Sequence, residues 1–209
     1  MFPATRGANK HLFPVYNLPL IFYPISTLQG LGVDQILLVT NPGDVPAFKR
    51  LLGDSVTYAT QETPGGIAEG VMIGAEWLEG EPFYLALGDN VFFGQPEPSE
   101  GATAYVMPYT GSDIRRFGVY NASTGKIEEK PHEPGSDLVA VGLYHLPACA
   151  VDRVRDQKPS KRGELEITDL LNSYGDSLRI QRISGEWFDC GTFDSLLFAS
   201  LHKALRTND

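Results

Sequence analysis

The sequence predicts an α/β fold with a mixed, mostly parallel central sheet and a β-rich insertion. Three observations carry that reading. Apolar runs at 35–40, 55–59 and 83–87 alternate with helical spacing at 46–52 and 67–78. Such βαβαβ alternation calls for parallel strands joined by right-handed crossovers. After Gly94 the character changes to a turn-rich linker and alternating strands, and from about 161 the chain returns to helices around one further strand. At 209 residues it is expected to form one domain in three parts, 1–100, 101–160 and 161–209.

Residues 1–17 carry no periodicity, although Lys10-His11-Leu12-Phe13-Pro14 reads as an ordered loop leading inward. Leu18 to Leu31 has helical spacing, with Pro19 in the first turn, Gly30 and Gly32 at the end, and Pro24 expected to bend or split it. Gln35 to Thr40 is a strand, and Asn41-Pro42-Gly43-Asp44 is a turn expected to cap a helix over 46–52. Ser55 to Ala59 is a strand, Gln61 to Gly66 a loop, and Ile67 to Leu78 a single helix. Phe83 to Leu87 is a short apolar strand expected to be buried on both faces. Gln95 to Glu100 forms the proline-rich linker. Strands follow at 102–107, 117–121 and 138–146, with Ser123-Thr124-Gly125 turning a hairpin. Helices are predicted at 164–174 and 193–205, the second capped by Thr192, with a strand at 178–183 between them.

Composition narrows the function. Hydrophobic residues at 42% and charged residues at 21% belong to a folded globular chain. A net charge of -9 provides no basic face for nucleic acid, so no nucleic-acid partner is expected. A bound nucleotide is compatible with it, because a few cations and backbone amides suffice to hold one. The two cysteines, Cys149 and Cys190, have neither zinc-ligand nor disulfide-framework spacing. No run approaches the ~20 apolar residues of a membrane span. Arg6 and Lys10 lie among prolines and polar residues without the apolar stretch of a leader. The expectation is a protein of the reducing cytoplasm with no membrane association.

Five local patterns can carry chemistry. Leu87-Gly88-Asp89-Asn90 ends the 83–87 strand, where an open α/β sheet binds ligands, and a magnesium ion shares such a carboxylate with substrate phosphate. The plain alternative is a turn in which Gly88 supplies the dihedral and Asp89 bonds its own backbone. Gln61 to Gly66 combines glycines that permit close approach with an amide suited to a pyrimidine edge; its alternative is a capping loop. In Glu128-Glu129-Lys130-Pro131, strand alternation lets only one glutamate share the crevice of Asp89; a solvated turn is the alternative. Arg162-Gly163-Glu164-Leu165-Glu166-Ile167-Thr168-Asp169 opens a helix with acidic residues, which simple dipole complementarity also explains. Trp187-Phe188-Asp189-Cys190-Gly191-Thr192 sets an aromatic pair and a second carboxylate before the last helix, or else a core anchor and a cap.

These patterns occur in one order with Tyr23-Pro24-Ile25-Ser26-Thr27-Leu28, Phe117-Gly118-Val119 and Val141-Gly142-Leu143-Tyr144. That series resembles the sugar-1-phosphate nucleotidylyltransferases over nearly the whole chain, to about Leu205. The resemblance implies a Rossmann-like nucleotidyltransferase fold, with a nucleotide-binding half at 1–100 and a sugar-binding part at 101–160. It implies that a nucleoside triphosphate, dTTP above all, and glucose 1-phosphate become a nucleotide-sugar and pyrophosphate. By the same resemblance Asp89 and Asp189 hold Mg2+, and Lys10, with Asp89 and Lys130, carries the catalysis. Gln61, Gly66, Gly88 and Asp89 bind the nucleotide. Gly118, Glu129, Lys130, Tyr144, Arg162, Glu164 and Trp187 form the sugar-phosphate site. UTP, another sugar 1-phosphate, or a non-catalytic nucleotide-sugar binder are the other readings.

The sequence departs from the family at its start. Met1 aligns just after the family's opening strand and G-G-x-G-T-R loop, leaving Arg6 and Gly7 as the nearest substitutes for the loop. Either the natural protein is longer or the short form is real. Loss of that strand is expected to leave sheet edges unpaired, or covered by something else such as a second copy in a homo-oligomer. Asn17-Leu18 also departs from the Asp-Lys common in close relatives.

Overall fold

The computed structural model describes every residue except 112, 208 and 209. Its first paired strands are β1 (Pro14–Val15) and β2 (Leu18–Pro19), antiparallel to one another. Helix α1 (Phe22–Gly30) therefore begins four residues later than the spacing predicts. Pro24 falls in its first turn, where no backbone N–H is required, so the helix is not split there.

Strand β3 (Leu37–Thr40), helix α2 (Val45–Leu52) and strand β4 (Thr57–Thr60) follow. Asp44 precedes α2 but does not cap it; its carboxylate accepts from the amides of Asn9 at 2.7 Å and Asn41 at 3.3 Å. β3 and β4 are parallel, as βαβ alternation requires. The predicted 67–78 helix is two helices, α3 (Ile67–Ile73) and α4 (Ala75–Leu78), parted at Gly74. A side chain at Gly74 would stand 3.3 Å from Leu37 Cδ2, so the glycine lets the helices pack against β3.

Strand β5 (Phe83–Ala86) is half-buried, not enclosed on both faces as the apolar run suggests. It does not join β3 and β4. β6 (Asn90–Phe93), β7 (Thr103–Pro108), β8 (Gly118–Asn121), β9 (Lys126–Glu129) and β10 (Leu138–Leu146) follow, with β8 and β9 forming the expected hairpin. α5 (Ala150–Arg155) precedes α6 (Ile167–Asn172), which starts later than the predicted 164. Residues before Ile167 are extended because Leu165 donates its N–H to Gly65 O at 2.8 Å and accepts from Ala68 N at 3.1 Å. β11 (Arg179–Arg182), β12 (Glu186–Asp189) and α7 (Phe193–Thr207) complete the order. Thr192 caps α7: its hydroxyl accepts from Ser195 N, and Ser195 Oγ accepts from Thr192 N.

The sheet is mixed. β10 is the trunk of a six-stranded sheet, with β7 on one edge and β8 and β5 on the other, all antiparallel to it; β11 adds to β7 in parallel. Alternation along β10 separates two cores. Ala140, Tyr144 and Leu146 pack with α3, α5 and α6, whereas Val139, Val141 and Leu143 pack with Leu28 and Leu31 of the α1 region. Gly142 sits at a register shift between them with φ +64. A side chain there would lie 2.9 Å from Asn90 Nδ2 and Leu87, so this position demands glycine both for its dihedral and for space. A third core of Val15, Leu20, Val91, Cys190 and Ala199 ties α7 to the β6–β12 pair.

The expected open edges are present: β3 pairs only with β4 and β5 only with β10 among the described residues. Between β3 and β5 lies a cavity of about 840 Å³.

Candidate active site

The site is built where β5 turns into β6. Asp89 falls in that turn, and the antiparallel pairing of β6 with β12 places Asp189 opposite Asn90, beside Asp89. Cys190 N donates to Asp89 O at 2.8 Å, locking the two strand ends together. Two carboxylates from distant parts of the chain thus share one crevice.

Each carboxylate is met by a cation. Lys10, on a single 3-10 turn whose N-terminal residue Asn9 accepts from His11 N, places Nζ 2.5 Å from Asp89 Oδ2. Arg116 places Nη2 3.0 Å from Asp189 Oδ2. Burial pushes the Asp89 carboxyl up, but Lys10 and then His11 hold it below the ordinary aspartate value. Asp189 goes the other way: burial and the neighbouring Asp89 charge raise it, and Arg116 and Lys10 offset only part. Two neighbouring carboxylates offer oxygen ligands of the kind a hard divalent cation takes. No cluster of three or more metal-ligating side chains occurs among the described residues.

Gly88 packs under the His11 ring, 3.1 Å from where a side chain would begin. Asn90 is 4% exposed; it accepts from Trp187 Nε1 at 2.5 Å and donates to Asp89 Oδ1 at 3.0 Å. Trp187 also joins Phe117 and Tyr109 in an edge-on aromatic group, with ring centres 5.3 Å apart for Phe117–Trp187. Beside Lys10 opens a cavity of about 430 Å³ lined by Arg6, Gly7, Asn9, Lys10, His11 and Asp44.

A second group stands at the end of the β8–β9 hairpin. Gly118 pairs with Glu129, and Glu128 turns away to accept from the Asn121 amide, so one glutamate of the two serves this group. Lys130, with φ +45, holds Nζ 3.6 Å from Glu129 Oε1. Arg162 bridges three carboxylates: Glu166 at 2.7 Å, Glu129 at 3.3 Å and Glu164 at 3.4 Å. Burial raises the Glu129 carboxyl, with Lys130 opposing, Glu166 adding and Arg162 opposing. Tyr144 is buried with the α3–α6 core; burial and then the Glu129 charge raise its hydroxyl.

The Gln61 loop joins this second group through its backbone. Gly66 has φ +100, and a side chain there would lie 2.4 Å from Leu165 O. The Gln61 amide, expected to be open for a base edge, instead donates to Gly66 O at 3.2 Å and to Glu69 Oε2. Sequence reasoning missed three participants. Arg116 is the second of a basic pair just before Phe117-Gly118; Asn90 stood inside the Asp89 motif; Glu166 stood inside the Arg162 motif.

An α/β sheet that brings two carboxylates together, each met by a cation, and sets a glutamate–arginine group at the end of a hairpin defines a protein built to hold phosphorylated ligands. The chain belongs to the nucleotidyl transferase family, whose profile matches residues 1–205. It is 41% identical to the glucose-1-phosphate thymidylyltransferase of Neisseria meningitidis, covering 94% of this chain and 75% of that protein. The enzyme of the same name from Mycolicibacterium smegmatis is 40% identical over 96% of this chain and 76% of its own length. Among solved structures, a Bacillus anthracis chain provisionally described as a glucose-1-phosphate thymidylyltransferase, in complex with sucrose, superposes with TM-score 0.89. It has 32% identity and covers 97% of this chain and 89% of its own. No helix among the described residues is long and apolar enough to cross a membrane.

Proposed function

We propose that the chain transfers a nucleotidyl group, dTMP from dTTP, to glucose 1-phosphate and releases pyrophosphate. The observation that carries the reading is the meeting of Asp89 and Asp189 in one crevice with Lys10 on the first of them. The names and identities of the relatives support the choice of substrates.

The phosphate oxygen of the sugar attacks the α-phosphorus, and the bond to the bridging oxygen breaks as pyrophosphate leaves with its electron pair. Magnesium held by Asp89 and Asp189 supplies charge neutralisation for the phosphates. Lys10 meets negative charge on the triphosphate, and the Arg6–Lys10 cavity receives its outer phosphates. Gly66 and Gly88 lie on the nucleotide's side, held mostly by residues 1–100, and Gln61 meets the base edge by exchanging its bonds to Glu69 and Gly66 O for it. Gly118 leaves room for the sugar, Glu129 accepts its hydroxyl hydrogen bonds, and Lys130 meets its phosphate. Tyr144, Arg162 and Glu164 hold Glu129 and its surroundings in place, and Trp187 packs on the sugar. Positioning and fixed charge do the catalysis. Self-association through the exposed Leu197, Phe198, Leu201 and Leu205 of α7, in a cytoplasmic setting, completes the reading.

Pyrophosphate release from dTTP, glucose 1-phosphate and magnesium tests it, with Asp89→Asn as control and UTP as competitor. Turnover that needs Asp89 is the expected result. Nucleotide-sugar binding by calorimetry without turnover would replace the proposal with a non-catalytic binder.

A further inference from the structure

The oxygens of the Asp89–Asp189 pair are divided between neutral donors and cations. Asp89 Oδ1 accepts from the Asn90 amide at 3.0 Å, and Asp189 Oδ1 accepts from Gly191 N at 3.1 Å. Both donors are fixed, the first by the Trp187 bond and the second by the backbone. The two Oδ2 atoms meet Lys10 and Arg116. A divalent cation bound between the pair needs oxygens from both carboxylates, and two cations on one oxygen repel. Such a metal therefore competes with the cation at each end.

The two cations are not equivalent. Lys10 sits on the carboxylate held below the ordinary aspartate value, and its side chain is 33% exposed. Arg116 sits on the carboxylate that stays above that value, reaches it with the single nitrogen Nη2, and is 44% exposed. It projects from a 3-10 turn (Ile114–Arg116), and the ring of the next residue, Phe117, is centred 5.5 Å from its guanidinium carbon. That ring offers the guanidinium a second resting place a short swing from Asp189. Arg116 is the cation that can give way. We infer that Arg116 is an exchangeable counter-ion of the metal site: it holds Asp189 aimed into the crevice, and it leaves for the Phe117 face when a divalent cation takes Asp189. A permanent salt bridge would do the opposite, supporting Asp189 through metal binding and strengthening the site. The inference rests on the assignment of magnesium to Asp89 and Asp189.

The test uses the full chain and metal ions alone, with no substrate. Manganese binding is read from the EPR signal of the free ion for the natural chain, Arg116→Gln and Asp189→Asn. Competition is reciprocal, so Arg116→Gln is expected to bind Mn2+ about 5-fold tighter or more, and Asp189→Asn to bind it more weakly than the natural chain. NMR of the arginine side chains follows the exchange itself, the Arg116 signal being the one that Arg116→Gln removes. Saturating Mg2+ is expected to speed rotation about the Arg116 Nε–Cζ bond, and sodium chloride at the same ionic strength is not. If Arg116→Gln does not fold, the Mg2+ response of the natural chain decides, with the signal assigned through Arg116→Lys. Equal or weaker Mn2+ binding by Arg116→Gln, or an Arg116 signal that ignores Mg2+, would overturn the exchange and leave the metal assignment standing. Absence of Mn2+ binding in both the natural chain and Arg116→Gln would overturn the two together.

Discussion

Trp187 donates its indole N–H to Asn90 Oδ1 at 2.5 Å, and this bond fixes which way the Asn90 amide points. The Asn90 NH2 is thereby directed to Asp89 Oδ1 at 3.0 Å, leaving Asp89 Oδ2 to Lys10. Asn90 is thus a positioning residue for the carboxylate assigned to magnesium, and Trp187 positions Asn90. Asn90→Ala is expected to raise the magnesium concentration for half-maximal pyrophosphate release about 10-fold or more, the usual cost of losing such support. Trp187→Phe, which keeps the ring contact with Phe117 but removes the donor, is expected to shift it in the same direction by less. A magnesium titration unchanged in both variants would contradict this arrangement.

His11 makes stability depend on pH. Burial pushes its pKa from 6.5 down to about 4, with Asp89 opposing, Lys10 adding and Asp44 opposing. Between those values the unfolded chain binds a proton that the folded chain refuses, so stability rises with pH. The contribution is fully present above pH 6.5 and is lost as pH falls toward 4. Its size is at most ~3 kcal/mol. Urea unfolding at pH 5 and 7.5 should show this slope in the natural chain and a flatter one in His11→Asn. Equal slopes would show that His11 is not held neutral.

Gly66 joins two distant stretches of chain, and its replacement should be costly. Its φ of +100 disfavours a side chain, and the added carbon would lie 2.4 Å from Leu165 O, a backbone atom. Leu165 cannot withdraw without breaking its bonds to Gly65 and Ala68. Gly66→Ala is expected to lose more than ~2 kcal/mol of stability. Gly125→Ala, at φ +68 with open space around it, should lose only about 1 kcal/mol. Comparable melting temperatures for the two variants would refute the distinction.

Features that depend on neighbours in sequence were legible before the structure. Thr192 and Ser195 share one turn, and the Ser123-Thr124-Gly125 turn closes β8 on β9. Asp89 and Asp189 were legible as a pair only through the family resemblance, since their meeting depends on the β6–β12 register. Features set by distant contacts were not legible. The 164–166 stretch has helical spacing but is extended because Leu165 bonds to the loop a hundred positions earlier. The Gln61 amide is occupied by Glu69, eight positions on, which the Gln61 to Gly66 pattern did not include. Arg116 lies outside every motif read from the sequence, and only the fold brings it to Asp189.

Arg162 balances three negative charges, and removing it should expose their repulsion. Its guanidinium is bidentate on Glu166, with Nε 3.1 Å from Oε1 and Nη2 2.7 Å from Oε2, and it reaches Glu129 and Glu164 from the same nitrogen. Burial favours the protonated form of Glu166, but the Arg162 and Ser160 hydrogen bonds overcome it and lower its pKa. That lowering stabilises the fold above the ordinary glutamate range and is lost as pH falls through the depressed value. In Arg162→Gln, Glu166 and Glu129 face each other without the cation, so both should take up protons at higher pH. The variant is expected to lose about 1–3 kcal/mol at pH 7, discounted for the half-exposed guanidinium, and to recover part of it near pH 5. Arg162→Lys should recover only part, because one ammonium cannot hold Glu166 bidentately and reach Glu129. Unfolding free energies at the two pH values decide the matter: a deficit that does not shrink on acidification would mean that packing, and not charge balance, is what Arg162 contributes.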